Sequence, residues 1–73
     1  MDGARLKLAR EAAGLSLRDL EGALGKLVSA QAIGKYERGD MEPSQPVLLA
    51  LSKALQVSPH YLLSDRKVTV DAI

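Results

Sequence analysis

Apolar side chains recur along most of this chain at intervals of three and four residues, the spacing that places side chains on one face of a helix. Serine, glycine and proline interrupt the pattern where helix caps and breaks are expected. These boundaries predict five helices, at residues 4–13, 17–24, 29–38, 45–55 and 59–64. Five short helices without a strand pattern indicate an all-α domain.

The most informative segment lies between Ser29 and Gly39. The Ser29 hydroxyl can cap the helix N-terminus, and Gly39 can end the helix in the left-handed conformation. Ile33 and Tyr36 form its apolar edge, and the positions predicted to face outward are small or polar: Ala30, Gln31, Gly34 and Lys35. Such a helix could enter a DNA groove, because Gln can pair with adenine and Lys with guanine. An ordinary amphipathic helix in a small bundle would show the same pattern.

Caps and apolar faces are also predicted for the other helices. Ser16 with Asp19 approximates a capping box, and Ser44 and Ser58 can cap the fourth and fifth helices, which carry proline in their first turns. Gly14 is positioned to end the first helix. The core is expected to contain the apolar positions Leu6, Ala9, Ala13, Leu20, Leu24, Val47, Leu48, Leu51, Leu55, Leu62 and Leu63.

Composition supports one small helical domain. The chain has 73 residues, of which 47% are hydrophobic and 3% aromatic, and so few aromatic residues suit close-packed helices better than a sheet. Residues 1–64 are assigned to the domain, and residues 65–73 to a C-terminal tail or the start of a missing segment. Because cysteine, a membrane-length apolar run and a signal-peptide pattern are absent, we expect a soluble cytoplasmic protein.

The residue types that catalysis or metal binding would need are scarce. The single histidine, His60, is expected at the solvated surface, and neither a zinc-protease motif nor a glycine-rich phosphate loop is present. We therefore predict no catalytic residue, no metal site, no cofactor and no enzyme activity. Residues 1–39 hold seven cations and five anions (+2), and residues 40–73 hold three cations and four anions (−1). This weak asymmetry does not by itself indicate a nucleic-acid partner.

A set of motifs spread over residues 4–63 is more specific. The motifs are Arg5-Leu6-Lys7, Arg10, Gly14-Leu15-Ser16, Leu20, Leu24-Gly25, Val28-Ser29, Ile33, Lys35-Tyr36-Glu37-Arg38-Gly39, Pro43-Ser44, Leu48-Leu49, Lys53-Ala54-Leu55, Val57-Ser58 and Leu62-Leu63. Together they resemble the phage-repressor-type (Xre, Cro-like) helix-turn-helix family. The resemblance implies a compact five-helix DNA-binding domain in which helices 2 and 3 form the helix-turn-helix and helix 3 reads the major groove.

The resemblance also implies roles for individual residues. Base contacts are implied for Ala30, Gln31 and Lys35, with Gln31 as the best candidate for reading an adenine. Contacts to the DNA backbone are implied for Ser16, Arg18, Lys26, Arg38 and Gly39. Members of the family pair an arginine of helix 1 with a glutamate near the end of helix 3, and those positions are occupied here by Arg10 and Glu37.

This chain departs from the family pattern at four places. Leu17 replaces a glutamine that usually touches the DNA backbone, and Glu21 replaces a small residue where the two motif helices cross. The turn has two extra residues, Lys26 and Leu27, and the loop after helix 3 is acidic, with the sequence Asp40-Met41-Glu42. Because carboxylates oppose binding to phosphate, we expect weak binding by one copy and useful affinity from a dimer or a larger parent protein.

These features predict a sequence-specific transcriptional regulator that binds double-stranded DNA as a homodimer, which could form only on the DNA. One alternative is a protein interaction module of the same fold, with Leu8, Ala12 and Leu17 as its contact surface. A second alternative is the N-terminal regulatory module of a longer protein, because similar modules precede peptidase domains. Salt-dependent affinity for DNA distinguishes the first interpretation from a module that does not read DNA.

Overall fold

Five α-helices form the computed structural model, which describes residues 1–63. Their bounds are Gly3–Ala12 (α1), Leu17–Ala23 (α2), Ala30–Arg38 (α3), Gln45–Leu55 (α4) and Pro59–Leu63 (α5). No strand occurs within residues 1–63. The predicted all-α, five-helix fold is therefore confirmed, with helix ends shifted by at most one residue. Ser64, predicted to be helical, and the predicted tail lie outside the described residues.

Caps fix the ends of α2 and α3. Ser16 Oγ accepts a hydrogen bond from the Asp19 N–H at 3.0 Å, and the Asp19 carboxylate accepts one from the Ser16 N–H, also at 3.0 Å. Ser29 Oγ accepts a hydrogen bond from the Ala32 N–H at 3.0 Å. Gly39 follows α3 with φ 81°, in the left-handed region. The predicted capping box and the predicted ends of α3 are thus confirmed.

The N-terminal ends of α1 and α4 differ in detail from the prediction. α1 begins one residue early, because the Asp2 carboxylate accepts a hydrogen bond from the Ala4 N–H at 3.0 Å and caps the helix. Ser44 is the N-cap residue of α4, as predicted, with an extended backbone, but its side chain makes no cap hydrogen bond. The second residue of α4 is Pro46, which has no N–H, and this removes one of the two usual partners of a capping side chain.

The centre of the core takes one fully buried side chain from each helix: Leu6, Leu20, Ile33, Leu51 and Leu62. Other buried residues surround them: Ala9, Tyr36, Val47, Leu48 and Leu55. Two predicted core residues, Ala13 and Leu63, are exposed instead, and Leu24 packs against the core while only partly buried. Neighbouring residues point about 100° apart on a helix, so the short α5 can direct Leu62 or Leu63 inward but not both.

Helix packing places α3 between α1 and α2. α3 packs against both α1 and α2, whereas α5 packs against α1 and α4. The orientation of α3 is therefore set by contacts on two sides, while its N-terminal end and the start of α2 stay at the surface. No helix within residues 1–63 combines the length and the apolar character that crossing a lipid bilayer requires.

Candidate nucleic-acid interface

The connection between α2 and α3 is a tight turn built on two residues with positive φ. Gly25 has φ 65° and Lys26 has φ 63°. Glycine adopts this left-handed conformation without a steric cost, whereas lysine adopts it at a steric cost. The Lys26 N–H donates to the Glu21 carbonyl oxygen at 3.0 Å, and the Leu27 N–H donates to the Leu24 carbonyl oxygen at 3.2 Å. These hydrogen bonds accommodate the longer turn and hold Lys26 beside the end of α2.

An open groove of about 640 Å³ lies between α2, the turn and the first residues of α3. Its lining residues are Arg18, Glu21, Gly22, Lys26, Ser29, Ala30 and Gln31. The fold thus brings four of the predicted DNA-contacting residues together. Two of them, Arg18 and Lys26, are cationic, and the other two, Ala30 and Gln31, occupy the first two positions of α3. We call this the α2–α3 groove.

The remaining predicted contact residues lie outside the α2–α3 groove. Lys35 is exposed one helical turn after Gln31, so it extends the same face of α3. Ser16 is exposed at the start of α2, where its hydroxyl and backbone N–H are committed to the capping box and lower the pKa of the Asp19 carboxyl. Gly39 is exposed at the C-terminal end of α3.

Arg38 is exposed but engaged by a neighbouring carboxylate. Its Nε donates to Asp40 Oδ2 at 3.2 Å, and both side chains are largely exposed. Asp40 therefore occupies one donor of a guanidinium that was predicted to contact phosphate. The acidic loop therefore affects Arg38 in two ways: Asp40 forms a hydrogen bond with it, and the negative charge of the loop opposes phosphate binding nearby.

The ion pair between Arg10 and Glu37 joins α1 to the end of α3. Arg10 Nε donates to Glu37 Oε2 at 2.6 Å and Arg10 Nη2 donates to Glu37 Oε1 at 3.2 Å, a two-point contact. Arg10 Nη1 also donates to the Leu15 carbonyl oxygen at 2.8 Å, which ties the loop before α2 to the pair. The arginine and glutamate side chains are only 11% and 7% exposed. The hydrogen bond to Glu37 raises the pKa of Arg10.

Within this framework the chain carries a helix, a longer turn and a second helix that presents its N-terminal residues in an open groove. Residues 6–62 match the family model described as helix-turn-helix. The chain belongs to the helix-turn-helix family. The family predicted from the sequence motifs is thereby confirmed.

Two relatives within the helix-turn-helix family are similar over most of this chain. The repressor protein C2 of Salmonella phage P22 is 46% identical over 63 residues, which cover 84% of this chain and 27% of the relative. The HTH-type transcriptional regulator DicA of Escherichia coli (strain K12) is 39% identical over 61 residues, covering 84% of this chain and 44% of the relative. The chain thus spans less than half of the length of either protein.

A solved structure shares the fold of this helix-turn-helix chain. It is the crystal structure of the P22 c2 repressor in complex with synthetic operator 9T in the presence of Tl⁺, with a TM-score of 0.76 and 43% sequence identity. The match covers 82% of this chain and 88% of that chain. At this identity and coverage the likeness includes the helix-turn-helix itself.

The packing of α2 on α3 corrects one prediction about the helix-turn-helix. Gly34 was predicted to face outward but is buried, and a Cβ on it would lie 3.5 Å from Arg38 Nη1 and 3.7 Å from Leu17 Cδ1. Leu17 is half-buried and packs against the core, so it does not belong to an exposed partner surface. The helical wheel of α3 alone could not reveal this, because Gly34 is covered by the side chain of Arg38 and by Leu17 of α2. Glu21, which was expected at the crossing, instead lines the α2–α3 groove.

The other two residues of that predicted partner surface lie together. Leu8 and Ala12 line a second, more apolar groove of about 480 Å³ between α1 and the segment that joins α4 to α5. Leu8 is 60% exposed. Tyr61 of α5 lines the same groove, and the Arg5 guanidinium lies 4.8 Å from the centre of its ring. Among residues 1–63, no cluster of three or more histidine, cysteine, aspartate or glutamate side chains could hold a metal ion.

Proposed function

We propose that this chain is a sequence-specific DNA-binding transcriptional regulator that inserts the N-terminal part of α3 into the major groove of double-stranded DNA. The observation that carries the proposal is the α2–α3 groove, where two cationic side chains lie beside two candidate base-reading residues. In a helix-turn-helix, side chains that contact phosphate fix the register, while the first residues of the second helix face the base edges. The family match and the P22 c2 repressor–operator structure support this function.

Base recognition is assigned to the exposed face of α3. The Gln31 side-chain amide is exposed at the groove and can both donate to and accept from the major-groove edge of an adenine. Such a two-point pair contributes about 1–3 kcal/mol of discrimination against the other bases. Ala30 offers a methyl contact, for example to thymine, and Lys35 can reach a guanine one turn further along α3.

Phosphate contacts are assigned to groups near both ends of the exposed face of α3. Arg18 and Lys26 line the α2–α3 groove, and Ser16 lies at the start of α2. Arg38 and the backbone at Gly39 lie at the other end of α3. These contacts position the helix and carry no base information directly. Arg38 has to exchange its hydrogen bond to Asp40 for one to phosphate.

The proposed bound form is a homodimer on two half-sites about one helical turn apart. Residues 1–63 carry one reading helix, and the exposed carboxylates Asp40 and Glu42 follow it closely in the chain. Because those carboxylates oppose phosphate binding, one copy supplies limited affinity and a pair is needed for a stable complex. The proposed role requires no catalysis, cofactor or metal ion, and it places the protein in the cytoplasm with its DNA.

A second candidate function is protein interaction without DNA reading. It is favoured by the exposure of Leu8 beside the apolar groove that Ala12 and Tyr61 also line. A large exposed apolar side chain next to a groove is one signature of a partner site. The chain spans 27% of the length of the P22 C2 protein, so a role as one regulatory module of a longer protein fits either function.

Selection of binding sites from random double-stranded DNA tests the proposed function. The chain is immobilised at low salt, bound DNA is amplified through several rounds, and the enriched sequences are aligned. We expect an inverted repeat whose half-site centres lie about 10 base pairs apart. Enrichment of no sequence, together with no measurable affinity for any DNA at low salt, would contradict DNA reading and favour the protein interaction module.

A further inference from the structure

Glu21 is the one carboxylate among the described residues that line the α2–α3 groove. Its backbone is fixed at the C-terminal end of α2, because its carbonyl oxygen accepts hydrogen bonds from the N–H groups of Leu24 at 3.2 Å and Lys26 at 3.0 Å. The turn therefore holds the main chain of Glu21 at the wall of the groove. Its carboxylate lines the same groove as Gln31, where the proposed function places DNA bases.

The Glu21 carboxylate retains its capacity to accept hydrogen bonds from a ligand. The side chain is half-buried. None of the ion pairs and none of the side-chain hydrogen bonds within residues 1–63 includes it, although Arg18 and Lys26 line the same groove. These two cations lower the electrostatic cost of bringing the carboxylate close to DNA. With two cations and one carboxylate among its lining residues, the α2–α3 groove keeps a net charge of +1.

A carboxylate discriminates among base edges because it accepts hydrogen bonds and donates none. In the major groove, cytosine presents its N4 amino donor, whereas guanine presents the acceptors O6 and N7 and thymine presents O4. Adenine presents both a donor and an acceptor, a pattern that the neighbouring Gln31 amide matches better than a carboxylate does. Glu21 is therefore complementary to cytosine and repelled by guanine and thymine at the position it faces.

We infer that Glu21 is a specificity-determining residue that makes the chain prefer cytosine at one base pair of each half-site. The inference rests on the proposed DNA-binding function and adds a second reading residue, contributed by α2, to those on α3. It differs from a general weakening of binding, because phosphate repulsion would act on every DNA sequence equally. A base preference, in contrast, changes the affinity only for DNA that differs at one base pair of the half-site.

The test compares the wild-type chain with Glu21→Gln and Glu21→Ala on the DNA that wild type enriches from a random pool. Fluorescence anisotropy at fixed salt gives the affinity for a panel carrying each base pair in turn at every half-site position. Glu11→Gln, an exposed charge-matched change on α1, serves as the control. Thermal unfolding followed by circular dichroism verifies that each variant is folded.

A second arm uses the unmodified protein and changes the DNA. N4-methylcytosine replaces cytosine at the preferred position, which keeps base pairing but removes the amino hydrogen that points into the major groove. This arm does not depend on the folding of any variant. It asks directly whether the N4 donor contributes to binding.

We expect wild type to favour cytosine at one position by about tenfold, and both Glu21 variants to lose that preference while keeping the others. N4-methylcytosine should weaken wild type and leave the variants unaffected. If the Glu21 variants keep the cytosine preference, or bind all sequences more tightly by one common factor, the inference fails while the proposed function stands. If wild type enriches no DNA sequence, both fail.

Discussion

The ion pair between Arg10 and Glu37 shows that a single side chain can connect several elements of this fold. Three hydrogen bonds from one guanidinium connect α1, the loop at Leu15 and the end of α3. Since both charged groups are nearly buried, removal of one leaves the other without its partner in a region of low dielectric constant. The pair thereby orients α3, which carries the proposed reading face.

Substitution of Glu37 by glutamine should lower the free energy of unfolding by about 3 kcal/mol, because the buried Arg10 charge loses its counter-charge. Urea unfolding at neutral pH measures this, with the exposed Glu11→Gln change as the matched control. An effect of Glu37→Gln no larger than that of Glu11→Gln would show that the pair does not hold α1 to α3.

Asp40→Asn should strengthen DNA binding severalfold, because it removes a carboxylate near the phosphates and releases the Arg38 guanidinium. The dependence of affinity on salt should also become steeper. Titration of the selected DNA at several salt concentrations measures both effects. In an Arg38→Ala background the gain should shrink, and an equal gain in that background would mean that Asp40 does not act through Arg38.

Residue-level roles were only partly predictable from the sequence. The positions of Arg10 and Glu37 followed from the family resemblance. The burial of Gly34 did not, because it depends on the side-chain position of Arg38 and on Leu17 of another helix. The hydrogen bond between Asp40 and Arg38 likewise depends on side-chain positions at the end of α3, which a charge count over the loop does not give.

The helices themselves were predictable, because their ends are encoded locally. Ser16 with Asp19 and Ser29 with Gly39 mark the ends of α2 and α3 by short-range hydrogen bonds and backbone conformation. Ser44 precedes α4 as its N-cap but makes no side-chain cap hydrogen bond, because a proline in the first turn removes one of the N–H donors that such a bond would use. Local signals therefore define the helices and not how they are rotated against each other.

The capping box of α2 makes the stability of the fold depend on pH. Hydrogen bonds from the Ser16 N–H and hydroxyl hold the pKa of Asp19 below its ordinary value of 3.8. A folded-state pKa below the unfolded value means that Asp19 stabilises the fold above the unfolded pKa and loses this effect as the pH falls through the folded pKa.

Asp19→Asn should accordingly be less stable than wild type near neutral pH, and the difference should shrink toward zero below the ordinary pKa of 3.8. Urea unfolding of both proteins across this pH range measures the difference. A gap that stays constant down to strongly acidic pH would contradict the role of the Asp19 charge in capping α2.

Five fully buried side chains within residues 1–63, one from each helix, form the centre of one core. This arrangement follows from the helical period of apolar residues, which explains why the fold could be predicted. The α2–α3 groove could not be predicted in detail, because its lining depends on how the longer turn sets α3 against α2. From the sequence, Glu21 was only a departure from the small residue that the family has where the two helices cross, and the structure shows that it lines the groove.

The central claim is that the N-terminal end of α3 reads bases through Gln31, and Gln31→Ala tests it most directly. Affinities of wild type and variant are compared on the selected DNA and on the same DNA changed at one base pair at a time. Gln45→Ala, which removes an exposed glutamine at the start of α4, is the control. We predict that Gln31→Ala loses about 1–3 kcal/mol of discrimination at one adenine-containing base pair of each half-site and keeps the salt dependence of binding. An unchanged base preference at every position in Gln31→Ala would contradict the claim.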